Sequence, residues 1–293
     1  MVLYALVSVL AWGVSVIFVE EGFRESNSKT FSYNLVCLMY SLLTGLAIMS
    51  PMLLFPRTLS LPLFNIFFLC LSGFFTFFLA TAIYYYCISV FGGTSVAITR
   101  IKPLIVSAIA VLLLNEIVRS FFWIGVFIVI AGSILVASAH VKPSQKSSKS
   151  SLRAFGYFYL ISFLLAFFWS LGEIFAKIGL NGVDAFIGNY VSLAFGTVSL
   201  FIFIFISNRG RFIKRVKKRK FFALHGLVSF VIGYTALNYS ILTIGVARTS
   251  ALTAIWPLIG VILSLLIYSK FRRINPYLLM LGSFLCIIGT ILV

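Results

Sequence analysis

Ser95-Val96-Ala97-Ile98-Thr99-Arg100-Ile101-Lys102-Pro103-Leu104-Ile105-Val106-Ser107-Ala108-Ile109-Ala110-Val111-Leu112-Leu113-Leu114 is the stretch whose reading decides the fold. It has about 20 residues, enough to cross a hydrocarbon core of about 30 Å as a helix. It carries a proline in mid-stretch and two cations, where cations are expensive. It also returns later in altered form. Ala251-Leu252-Thr253-Ala254-Ile255-Trp256-Pro257-Leu258-Ile259 keeps the Ala, Thr, Ile, Pro, Leu and Ile of Ala97–Ile105 in register. Apolar segments share leucines by chance, but not a Thr-x-Ile-x-Pro-Leu-Ile frame. The chain therefore reads as a duplicated membrane protein.

Composition points the same way. Of 293 residues, 61% are hydrophobic and only 10% are charged, against about a quarter in soluble domains. The long apolar runs are continuous rather than alternating, which excludes a β-barrel. The net charge of +17 would suggest nucleic acid in a soluble protein. Here the basic residues sit in short loops, where they orient the chain and meet anionic headgroups, so no nucleic-acid partner is expected. Cys37, Cys70, Cys87 and Cys286 lie within apolar runs without metal-ligand spacing, and they read as buried thiols. No metal or cofactor is expected. The N-terminus has neither a basic n-region nor a small-residue cleavage site, so it reads as a retained first span.

Ten spans are expected, at about 2–19, 31–55, 63–90, 95–114 and 121–138, then 154–180, 185–207, 221–243, 249–269 and 277–293. The Ser- and Lys-rich stretch 139–153 is a polar linker between two five-helix units, 1–138 and 154–293. The halves match beyond the proline helices. Trp12 and Ile17-Phe18 correspond to Trp169 and Ile174-Phe175, and Tyr85 corresponds to Tyr239. Gly132–Val136 corresponds to Gly289–Val293. An odd number of spans per unit sends the second half into the membrane from the opposite side. The expected fold class is an all-α membrane protein with ten transmembrane helices in two inverted-topology repeats, an architecture of secondary transporters.

This plan resembles the drug/metabolite transporter superfamily, in particular its EamA branch. Trp12-Gly13, Trp169-Ser170, the helices at Pro103 and Pro257, and Leu112-Leu113-Leu114-Asn115-Glu116 followed by Gly125 and Gly132 carry the resemblance. It covers essentially the whole chain. One departure is Lys270, which stands where the family's second glutamate is usual, so Glu116 is given no role shared by both halves. The resemblance implies a carrier of small metabolites, often amino acids, amines or sugar-linked compounds, held between the repeats near mid-membrane.

With ten spans, both termini share one side. That side carries Arg57, Arg119 and Arg248, whereas seventeen other Lys and Arg residues lie on the opposite side. The positive-inside rule places the basic loops in the cytoplasm and both termini outside, in a cell (inner) membrane. Relatives usually have cytoplasmic termini. The bias is spread over several short loops, so charge is followed here.

Candidate substrate contacts are the intramembrane charges and the repeat-related aromatics. Arg100 and Lys102 lie about 200° apart on a helix, so they do not easily share a cavity. Lys102 is nearer mid-span and matches Trp256 in the repeat. Arg100 can instead snorkel to headgroups. Pro103 and Pro257 loosen their helices and serve as gate-bearing breaks. Glu173 and Lys177 are spaced i and i+4, the spacing of a local salt bridge, or else Glu173 meets a substrate amine or a coupling proton. Trp12, Trp169, Tyr85, Tyr239 and Trp256 can form aromatic walls. His140 and His225 fall near membrane edges and are assigned no role.

The leading function is a secondary active transporter of an amino acid or related zwitterion or organic anion. Lys102 would take a carboxylate, and the two halves would alternate access. No Gly-x-x-x-x-Gly-Lys-Ser/Thr loop is present in the sequence, so a gradient must supply the energy. Its expected partners are the small-molecule substrate, the lipid bilayer and a coupling proton, and a monomer suffices. The alternatives are an organic-cation carrier with Glu173 as counter-charge, and a non-transporting assembly protein. A lipid-handling enzyme is disfavoured because the acidic residues are scattered and Asp184 is the sole aspartate.

Overall fold

The computed structural model describes residues 2–24, 30–53, 61–91, 101–138, 150–207, 216–256, 259–260, 263 and 275–292. Among the described residues all regular structure is helical, as the apolar runs require. In the first half these are α1 (Val2–Arg24), α2 (Phe31–Met52), α3 (Leu63–Gly73), α4 (Thr81–Phe91), α5 (Lys102–Leu113) and α6 (Ser120–Ser138). The second half supplies α7 (Ser150–Gly179), α8 (Ala185–Ser207), α9 (Arg219–His225), α10 (Tyr234–Ile244), α11 (Val246–Thr253) and α12 (Pro276–Leu292). Two π-helical stretches, Phe74–Ala80 and Gly226–Gly233, join α3 to α4 and α9 to α10. Each therefore interrupts one continuous apolar helix, at related places in the two halves.

Six helices are long and apolar enough to cross a membrane: Val2–Arg24, Phe31–Met52, Leu63–Val90, Leu160–Gly179, Ala185–Ser207 and Arg219–Ile244. Lys102–Leu113, Ser120–Gly132 and Met280–Gly289 are shorter apolar helices. Of the expected span 249–269, residues 257–258, 261–262 and 264–269 lie outside the described residues. Ser150–Arg153, read from the sequence as linker, forms the first turn of α7.

The residues are distributed as a lipid environment demands. α1 buries Ser8 and Ser15 while Leu3, Leu6 and Leu10 face outward. With lipid outside, apolar burial no longer drives helices together, so small residues and polar contacts hold them. The crossings between halves show this reciprocally. α3 packs on α8, and α9 with its π stretch packs on α2. Ser192 Oγ donates to the Leu69 carbonyl at 2.9 Å, and Ser41 Oγ donates to the Phe222 carbonyl at 2.6 Å. At the same crossings Gly73 and Gly226 are essential. A Cβ on either would fall 2.0 or 2.2 Å from the backbone oxygen of Ser192 or Ser41. α6 and α12 pack chiefly on one another beside this bundle.

Candidate functional site

α5 opens at Lys102, with Pro103 in its first turn. The missing proline N–H is harmless there, because first-turn N–H groups have no intrahelical partner. Pro103 thus stands in the first turn of the described helix, and residues 92–100 before it lie outside the described residues. Lys102 is 8% exposed and Glu173 on α7 is 4% exposed. Lys102 Nζ donates to Glu173 Oε1 at 2.5 Å. This corrects the local pairing expected of Glu173 with Lys177. Lys102 Nζ also stands 5.4 Å from the centre of the Trp12 ring, within cation–π range.

Lys102 of this pair lines a cavity with about 600 Å³ of empty space, counting its open mouth. α1 contributes Trp12 and Ser15, and α4 and its start contribute Thr81 and Tyr84. Trp169 enters from α7, and His225, Ser229, Phe230 and Tyr234 from the α9–α10 run. Trp256 closes it beyond α11. Trp12 lies 5.0 Å from Tyr234 and 6.5 Å from Trp256 between ring centres, and Tyr84 lies 5.5 Å from Trp169. Gly233 makes room for this packing, since a Cβ there would sit 2.7 Å from Trp12 Nε1.

Lys102, Pro103, Trp12, Trp169 and Trp256, all candidates from the sequence, thus come together. Two others do not. Tyr85 is fully buried, and its hydroxyl lies 2.6 Å from Ser41 Oγ and 3.0 Å from His225 Nδ1. Ser41 spends its only hydroxyl proton on the Phe222 carbonyl. Tyr85 must therefore donate to Ser41 and accept from His225 Nδ1–H. Tyr85 is a core support, and its neighbour Tyr84 faces the cavity instead. Tyr239 is also elsewhere: its hydroxyl donates to Asp184 Oδ2 at 3.1 Å and its ring stacks 5.2 Å from Tyr4. Arg100 and Pro257 lie outside the described residues. His225 was missed. Its Nδ1–H is committed to Tyr85, so Nε2 is left as an acceptor on a ring that borders the cavity.

A smaller cavity, with about 250 Å³ of empty space, lies on the other side of Glu173. Glu173, Ser72, Thr76, Asn189, Ser192 and Asn238 give it polar walls, and Tyr234 borders both cavities. The larger cavity takes Thr81 and Tyr84 from the start of α4, His225 from the end of α9 and Ser229 from the π stretch that follows. The smaller one takes Ser72 from the end of α3, Thr76 from the π stretch after it, and Leu237 and Asn238 from α10. Tyr234 lines both cavities, and the ion pair links them, with Lys102 lining the larger and Glu173 the smaller.

Beyond the smaller cavity the halves are tied by Glu116. Its Oε1 accepts from Val246 N–H at 2.8 Å and its Oε2 from Ala247 N–H at 3.0 Å. A carboxylate at the first turn meets unpaired N–H groups and the positive end of the helix dipole. Glu116 of the first half therefore caps α11 of the second, a role that the sequence reading did not assign.

The sequence model of the EamA-like transporter family matches residues 1–138 and, again, 155–293. One solved structure, described as "Crystal structure of protein", has a TM-score of 0.72 and 14% identity, covering 99% of this chain and 94% of that chain. At that identity the likeness shows the fold alone. No curated protein matches the sequence.

Proposed function

The chain belongs to the EamA-like transporter family, a branch of the drug/metabolite transporters, and from that premise we propose that it carries a small amino acid, related zwitterion or organic anion by alternating access. The observation that carries this reading is the buried Lys102–Glu173 pair, whose lysine lines an aromatic cavity and whose glutamate lines the smaller one beside it. A buried ammonium is expensive unless paired, and a pair that borders open space can exchange its partner for a ligand. A substrate carboxylate would take Lys102, and a substrate amine would take Glu173. Trp12, Tyr84 and Trp169 would enclose the apolar part.

The architecture proposed for this work is ten spans in two inverted five-helix repeats. The reciprocal Ser192–Leu69 and Ser41–Phe222 contacts support it. The basic loops would face the cytoplasm of a cell membrane, with both termini outside. A reporter fused after Val293 checks this orientation and should be inactive in the cytoplasm.

The deciding experiment is thermal unfolding of the detergent-purified chain with a panel of amino acids, dicarboxylates, phosphorylated sugars, nucleosides and quaternary amines. A saturable upward shift with an amino or organic acid, lost in Lys102→Ala, is the expected result. A shift only with amines, lost in Glu173→Gln, would replace this reading with a cation carrier. No shift with any compound would count for a non-transporting role.

A further inference from the structure

The polar part of the smaller cavity's lining is rich in oxygen atoms. Asn189 commits its amide N–H groups to the Phe230 carbonyl at 2.8 Å and Thr235 Oγ1 at 2.9 Å. Asn238 commits its amide nitrogen to the Ala185 carbonyl at 3.4 Å. Both side chains are therefore oriented with their nitrogens in the scaffold, which leaves their Oδ1 atoms for the cavity. Ser192 likewise uses its proton on the Leu69 carbonyl, so its oxygen remains an acceptor. Thr76 belongs to the first π-helical stretch, and such stretches displace backbone carbonyls from the regular ladder. Glu173 borders this space as well. Its Oε1 holds Lys102, but Oε2 is buried and makes no hydrogen bond among the described residues. A buried carboxylate oxygen without a partner is costly. Here it stands among neutral oxygens, and although the hydroxyls of Ser72, Thr76 and Tyr234 carry protons, none bonds it among the described residues.

We propose that this cavity binds a small, hard monovalent cation, sodium, with Glu173 Oε2 as its anionic ligand and the oxygens of Asn189, Ser192 and Asn238 around it. The proposal rests on the carrier function proposed above and names its coupling ion. Sodium is favoured over a proton because a proton needs one carboxylate, whereas a hard cation takes several oxygens in place of its hydration shell. The charges then link the two cavities. Lys102 and Glu173 alone are neutral. Sodium shares the carboxylate, weakens its hold on Lys102 and leaves the site at plus one. An anionic substrate group at Lys102 restores neutrality. Each ion therefore raises the affinity of the other by the same factor, which is the condition for coupled transport.

The test uses the full chain in detergent, with thermal unfolding followed as sodium chloride replaces choline chloride at fixed ionic strength. A saturable rise in Tm with sodium and none with choline is expected. Removing the competing ammonium in Lys102→Gln should lower the half-saturating sodium concentration by roughly tenfold. Glu173→Gln and Asn238→Ala should abolish the rise. Asn238→Ala leaves the ion pair intact, so radioactive-sodium binding to that variant reads the site even if Glu173→Gln fails to fold. A rise that follows acidification equally in choline makes the proton the occupant and overturns the proposal. So does a sodium effect that survives both variants, or none in wild type and Lys102→Gln alike. Running the metabolite panel in both sodium and choline separates the two readings. A metabolite shift without a sodium effect sinks the cation site alone, whereas a sodium effect without any metabolite shift leaves the site and removes the carrier reading.

Discussion

Among the lysine–glutamate pairs that join the halves in the described residues, Lys102–Glu173 and Lys177–Glu116 differ in kind. Lys102 and Glu173 touch at 2.5 Å with side chains 10% and 5% exposed. Lys177 and Glu116 stand 3.9 Å apart with side chains 30% and 16% exposed. In the second pair neither partner depends on the other. Glu116 is held by two backbone N–H groups of α11, and Lys177 donates to the Ile241 carbonyl at 3.3 Å. In the first pair each charge is the other's main compensation. The looser pair belongs to a structural cap, and the tighter one to a cavity wall.

The largest expected effect comes from breaking the buried pair. Lys102→Met or Glu173→Leu alone should destabilise by about 3–5 kcal/mol, because the remaining charge is buried without a counter-ion. The double variant should recover most of that loss. Thermal unfolding of the three variants measures this, and equal losses in single and double variants would break the contrast. Glu116→Ala should cost about 0.5–2 kcal/mol, the range of a lost helix cap. Glu116→Gln should retain part of it, since an amide oxygen still accepts from Val246 or Ala247. Lys177→Ala should change stability by only about 0–1 kcal/mol, as a partly exposed ion pair does. A larger loss there than at Glu116 would mean that Lys177, rather than the α11 N-terminus, holds that carboxylate.

Glu173 shows how far the residues could be read without the fold. Its presence in a span marked it as a candidate, since intramembrane charges are rare and functional. The local i, i+4 rule then pointed to Lys177, but its partner lies 71 positions away in the chain. No rule of helical spacing reaches that far. Tyr85 failed for a different reason. The π stretch Phe74–Ala80 lies a few residues before it, and an extra residue in a turn rotates the following face by about 100°. Tyr84 consequently borders the cavity and Tyr85 the core. His225 carried a usable signal, a histidine embedded in an apolar run. It was set aside because the basic segment before it made it look like a membrane edge. Trp12 and Trp169 were legible because duplication marked them twice, and Trp256 because it stands in the repeated proline frame where Lys102 does.

Composition, apolar run length and the repeated proline frame were enough to determine a helical, duplicated membrane protein of the transporter type. These are properties of segments, and each segment carries its own hydropathy and register. Only the tertiary structure decided which charge meets which, which face each π-interrupted helix turns inward, and that one ion pair links two cavities. Those outcomes depend on contacts between residues far apart in sequence, where packing sets the distance and no local preference does.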